Sequence, residues 1–101
     1  MPTRLNEAEI TEALTRTDGW SHRGDAIERT FMFRDFIASM AFVNAVAAEA
    51  ERAQHHPDIA ILYSKVTLAF STHDAGGLTV KDFAGASFAN QACVATIARG
   101  P

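Results

Sequence analysis

Apolar and polar positions along the chain predict a sequence of short periodic elements. Asn6 precedes Glu7 and Glu9, an N-cap followed by acidic residues in the first turn, so a short helix is expected to about Arg16, ended by Asp18-Gly19. Ile27, Arg29, Phe31 and Phe33 alternate with Glu28, Thr30 and Met32, the period of a half-buried strand. Gly24-Asp25 just before it marks a turn, which makes residues 20–22 its hairpin partner. Asp35 is placed to cap a helix over 36–53, with Phe36, Met40, Val43 and Ala47 at helical spacing. Phe42 and Val46 widen that stripe, either because the helix is deeply buried or because its second side meets another subunit. Pro57 closes this helix region, since the residue before a proline avoids helical backbone. Residues 59–63 and 65–73 read as strands, the second with Val66, Leu68 and Phe70 on one face. Gly76-Gly77 then turns the chain into Thr79-x-x-Asp82, a carboxylate form of the capping box. A last helix to about Ala98 is expected to carry Val80, Phe83, Ala84, Val94 and Ile97 on its apolar side, leaving Cys93 outside the stripe.

Helix, two strands, helix, two strands, helix is not a one-for-one alternation, and the strand pairs are local. The expected class is α+β, an antiparallel sheet with about three helices on one face. A length of 101 residues points to a single domain, 1–101. Nine basic against twelve acidic residues leave a net charge of −3, which argues against a nucleic-acid partner. One cysteine excludes a disulfide scaffold and a Cys₄ zinc site. No apolar run is long enough to span a membrane, and residues 1–10 do not resemble a signal peptide, so a cytoplasmic setting is expected.

Candidate chemistry gathers at element ends. His55 and His56 follow a helix, and His73 ends a strand; histidine is the side chain best suited to proton transfer near neutral pH. Glu51 lies at i−4 from His55 and is placed to orient it, while Asp82 is placed to orient His73 across the Gly76-Gly77 turn. Each residue also has an ordinary structural role. His55 or His56 suits a helix C-terminus, Asp82 a helix cap, Glu51 a solvated helix face and His73 an open strand face. His22 reads as a surface residue. A shared metal is not expected, because adjacent histidines diverge along an extended chain. No phosphate-binding loop or nucleophile elbow is present.

The chain reads Glu51, three residues, His55-His56-Pro57, five residues, Tyr63, nine residues, His73, eight residues, Asp82. In these positions and gaps it resembles the pterin-4a-carbinolamine dehydratase family. His73-Asp74-x-Gly76-Gly77-Leu78-Thr79 resembles the family's second block, and Trp20, Phe31, Phe33 and Phe36 sit where the family places aromatics. Ile59, Ile61 and Ala75 depart from the family's usual tryptophan, asparagine and cysteine, and none of these removes a proton-transfer group. The resemblance implies a four-stranded antiparallel sheet, association as a homodimer or homotetramer, and dehydration of 4a-hydroxytetrahydrobiopterin in pterin recycling after aromatic amino-acid hydroxylation. That links the chain to a phenylalanine hydroxylase and requires neither cofactor nor metal. It implies His55, His56 and His73 as catalytic histidines and Tyr63 as a wall or structural residue. The mechanism expected on that basis has His73 as acid oriented by Asp82, one of His55 and His56 as base with the other holding the pterin ring, and Glu51 orienting His55. Substrate contacts are expected from the histidines, Pro57, Thr72, Asp74 and Ala75. The alternative is a protein-binding module, since animal relatives serve as dimerisation cofactors for a homeodomain transcription factor. Phe42 and Val46 are the expected partner surface in that case.

Overall fold

The computed structural model describes residues 3–98. Helix α1 (Glu7–Thr15) is held by a reciprocal cap: the Asn6 side chain accepts from Glu9 N–H, and the Glu9 carboxylate accepts from Asn6 N–H, each at 2.8 Å. Strands β1 (Ser21–Arg23) and β2 (Ala26–Met32) form a hairpin around Gly24-Asp25. Gly24 takes φ 59°, the positive φ that a two-residue hairpin turn of this kind asks of its first residue. Helix α2 (Phe36–Ala53) starts where Asp35 accepts from Ala38 N–H at 2.8 Å. Strands β3 (Asp58–Leu62) and β4 (Lys65–Phe70) form a second hairpin, and helix α3 (Val80–Ala98) follows. The strands make one antiparallel sheet in the order β1-β2-β4-β3.

One sheet face is buried under the helices. Ile27, Phe31, Val66, Leu68 and Phe70 meet Phe42, Val43 and Val46 from α2 and Ala86, Ala89 and Ala92 from α3. The Phe42 ring lies 4.7 Å from Phe31 and 5.0 Å from Phe33 between centroids. Burying each such ring contributes about 1.5–3 kcal/mol. Arg29, on the inward side of β2, is accommodated because its guanidinium lies 4.3 Å over Phe31 and donates to Asn90 of α3 at 2.7 Å. Asn90 also accepts from Trp20 Nε1–H at 2.9 Å and donates to the Asp18 carbonyl at 3.0 Å. This junction locks α3 to the first hairpin.

The element order and class agree with the sequence, but both long helices are rotated from the expected phase. On α2 the buried side is Ser39, Phe42, Val43, Val46 and Ala50, whereas Phe36 and Ala47 are exposed. Phe42 is fully buried and Val46 nearly so, which makes them core residues and overturns their assignment to a partner surface. On α3, Val80, Ala84, Val94 and Ile97 face outward, and Phe83, Ala86, Ala89, Ala92 and Cys93 face inward. Small side chains let α3 approach the sheet closely, so packing selected the alanine face over the face with more apolar bulk. Strand β4 ends at Phe70 rather than reaching His73. Tyr63 lies in the β3–β4 turn at φ 52°, 66% exposed, and is neither core nor cleft wall.

Candidate active site

Three chain reversals converge at one end of the sheet. The first closes α2. Gln54 adopts left-handed backbone, its N–H reaches the Glu51 carbonyl at 3.3 Å, and His55 N–H reaches the Ala50 carbonyl at 3.1 Å. These paired bonds form a Schellman turn, which satisfies helix-end carbonyls and redirects the chain. The second follows β4. Thr72 and Gly77 bridge in antiparallel fashion around a single 3₁₀ turn, His73–Ala75, which ends at Gly76 with φ 74°. The third begins α3. The Asp82 carboxylate reaches back to Thr79 N–H at 2.9 Å, and the Thr79 hydroxyl accepts from Lys81 N–H at 3.2 Å.

Asp82 therefore lies at the centre of the site. It is fully buried, and its Oδ1 lies 2.6 Å from His55 Nε2, while Oδ2 also accepts from the Thr72 hydroxyl at 2.8 Å. The His55 side chain is 13% exposed and lies almost parallel to Phe70, with ring centroids 6.0 Å apart. His56 turns outward, and its Nε2 is 2.5 Å from Glu51 Oε2, with both side chains more than half exposed. An ionised carboxylate only accepts, so a neutral ring in either contact would carry its proton on Nε2 and its lone pair on Nδ1.

Neither expected pairing forms: each carboxylate meets a different histidine from the one expected. Glu51 meets His56, not His55, because the Schellman reversal at Gln54 carries His55 off the helix face. Asp82 meets His55, not His73, because β4 ends early and the 3₁₀ turn holds His73 on the outside.

An open cleft of about 360 Å³ collects the surface members. His55, His56, Thr72, His73 and Asp74 line it together with Gln54, Ser71 and Lys81. The sequence reading did not single out the last three. Lys81 lies next to Asp82 within the capping box and was visible in that motif; Gln54 and Ser71 carried no comparable signal. Pro57 and Ala75, expected as contacts, lie outside this lining. Asp82 and Glu51 lie behind the histidines rather than on the cleft wall.

A profile of the family described as Pterin 4 alpha carbinolamine dehydratase matches residues 3–92. The chain belongs to this family. Within it, a relative from Chloroflexus aurantiacus is 57% identical over 81 residues, covering 80% of this chain and 87% of that protein. One from Thermomicrobium roseum is 51% identical over 81 residues, with the same coverage. Both are provisionally named pterin-4-alpha-carbinolamine dehydratases. A crystal structure of a transcriptional coactivator/pterin dehydratase from Brucella melitensis matches with a TM-score of 0.88 at 35% identity, covering 90% of this chain and 99% of that one. A pterin dehydratase-like protein identified as a RuBisCO assembly factor in the alpha-carboxysome shares the fold, with a TM-score of 0.61 at 20% identity over 73% of this chain and 86% of that one.

Proposed function

We propose that the chain dehydrates 4a-hydroxytetrahydropterins to quinonoid dihydropterins, with 4a-hydroxytetrahydrobiopterin as the expected substrate. The observation that carries this reading is a buried Asp82–His55 pair opening onto a cleft shared with His56 and His73. The C4a–O bond breaks as a C4a=N5 bond forms. The N5 proton passes to His55 Nδ1, and the departing hydroxyl takes a proton from His73 and leaves as water. His56, braced by Glu51, holds the flat pterin ring, and Asp74 and Lys81 supply polar contacts at the cleft edge. Each positioned acid or base contributes on the order of 10² to 10⁴ in rate. No electrons are transferred, so the reaction calls for neither redox cofactor nor metal. The work belongs beside a phenylalanine hydroxylase in the cytoplasm. One long side of the edge strand β3 is free of sheet partners among the described residues, which supports assembly as a dimer through sheet edges or a tetramer built from it.

The second reading, a protein-binding role, is favoured by the coactivator half of the Brucella protein's name and by exposed Phe36 and Ile37 on α2. Its surface would be that outer face, with Phe42 and Val46 excluded by burial.

The test is the decay of carbinolamine freshly generated by a phenylalanine hydroxylase, followed by absorbance with and without this protein. Acceleration that falls at least about tenfold in His55→Ala and in His73→Ala is the expected result. Near-parental turnover in folded His73→Ala removes it as the acid, and no acceleration by the parent protein refutes the dehydratase reading.

A further inference from the structure

We infer that Thr72 and Thr79 are positioning residues whose hydroxyls form a one-way hydrogen-bond chain that fixes Asp82 and, through it, the tautomer of His55. The kinetic consequence rests on the dehydratase reading; the structural one does not.

The direction of each bond follows from the number of protons available. The Thr72 hydroxyl donates its single proton to Asp82 Oδ2 at 2.8 Å, since a carboxylate oxygen accepts. Thr72 and Thr79 hydroxyl oxygens are 2.9 Å apart. Since the Thr72 proton is committed, Thr79 is the donor in that contact. The Thr79 oxygen is then free to accept from Lys81 N–H at 3.2 Å. The chain runs from the Lys81 amide through Thr79 and Thr72 to Oδ2, and Oδ1 accepts a hydrogen bond from His55 Nε2–H at 2.6 Å. What remains at its open end is the lone pair on His55 Nδ1.

Capping alone does not account for this arrangement. A carboxylate at the third helical position needs only the Thr79 N–H, which it has at 2.9 Å. The Thr72 hydroxyl comes from a different segment, is buried, and adds nothing to the cap. Thr79 and Asp82 are both fully buried, so water does not replace either bond without opening the site. His56 has no such support: its Glu51 partner is an exposed side chain on α2. Thr72, expected as a substrate contact, spends its hydroxyl inward.

The test combines imidazole ¹⁵N NMR on the pterin-free protein, above the histidine titration range, with kinetics and thermal melting of Thr72→Val, Thr72→Ser and Thr79→Val. The parent is expected to show His55 as a single Nε2-protonated tautomer, and Thr72→Val a mixture. With a base worth on the order of 10² to 10⁴, loosening it should lower kcat about tenfold or more in Thr72→Val, with KM within about threefold. Thr72→Ser keeps the hydroxyl and should hold the parental tautomer and kcat within about threefold. Thr79→Val, one link further away, should fall less than Thr72→Val. A parental tautomer in folded Thr72→Val overturns the inference, as does equal loss in the serine and valine variants. If Thr72→Val does not fold, a parental His55 tautomer in Thr79→Val overturns it. Absence of dehydratase activity in the parent refutes the proposed function while the NMR result still decides the tautomer.

Discussion

Replacing Gly85 with alanine places a methyl group against the aromatic ring that supports His55. Gly85 lies inside α3, where an added Cβ would stand 2.5 Å from Phe70 Cε1 and 2.6 Å from Cζ. Carbon atoms in contact ordinarily sit about 3.5–4.0 Å apart, so about 1 Å must be recovered. Phe70 cannot recover it cheaply, because it is buried between Trp20, at 5.8 Å between centroids, and His55, at 6.0 Å. Overpacking of this kind costs about 1–3 kcal/mol. Against it stands the better helix propensity of alanine, about 1 kcal/mol over glycine. The balance is a net loss of about 1 kcal/mol, which lowers Tm by about 4–8 °C in a domain of this size. Urea and thermal unfolding of the single variants and of Gly85→Ala with Phe70→Leu measure it. The double variant lacks the outer ring atoms, so its loss should fall short of the sum of the singles by about 1 kcal/mol. A Tm increase in Gly85→Ala, the usual result for alanine in an open helix, would refute the close-approach argument, as would strict additivity in the cycle.

Two further predictions follow from ionisable groups outside the cleft. The Ala38 N–H bound to Asp35, with Arg34 beside it, holds the Asp35 carboxyl below its ordinary range, so its contribution is present above the unfolded carboxyl pKa, near about 4, and disappears as pH falls through the lower folded value. Asp35→Asn should therefore have a lower Tm than the parent at about pH 5–7, with the gap closing toward about pH 2; a gap independent of pH refutes the assignment. Burial pushes the Cys93 thiol up, with Arg29 opposing, so it should stay protonated and react with a thiol reagent at about pH 7–8 only as fast as the protein opens. Immediate stoichiometric labelling of the folded protein would contradict this.

Much of the site is legible in the amino-acid sequence, because its parts belong to local motifs. The Asn6 and Asp35 caps, the Gly24-Asp25 turn and the Thr79-x-x-Asp82 box each depend on residues a few positions apart. They form where expected. The three histidines at element ends do meet in one cleft. Sequence spacing misassigns their carboxylate partners because those contacts depend on the directions the chain takes after a reversal. Nothing in the spacing of Glu51 and His55 shows that a left-handed Gln54 will turn His55 inward and leave Glu51 to His56.

The sequence by itself determined the order and kind of elements, the family and the set of titratable groups. Period, caps and turn residues act over one turn of backbone. The tertiary structure alone decided which faces of α2 and α3 were buried, since both helices have apolar residues on several sides and only close packing against the sheet selects among them. It also decided that Asp82, separated from His55 by the whole β3–β4 hairpin, is the group that orients it. A hydrogen bond at 2.6 Å between distant segments is a property of how three reversals are packed together, and no local pattern encodes that distance.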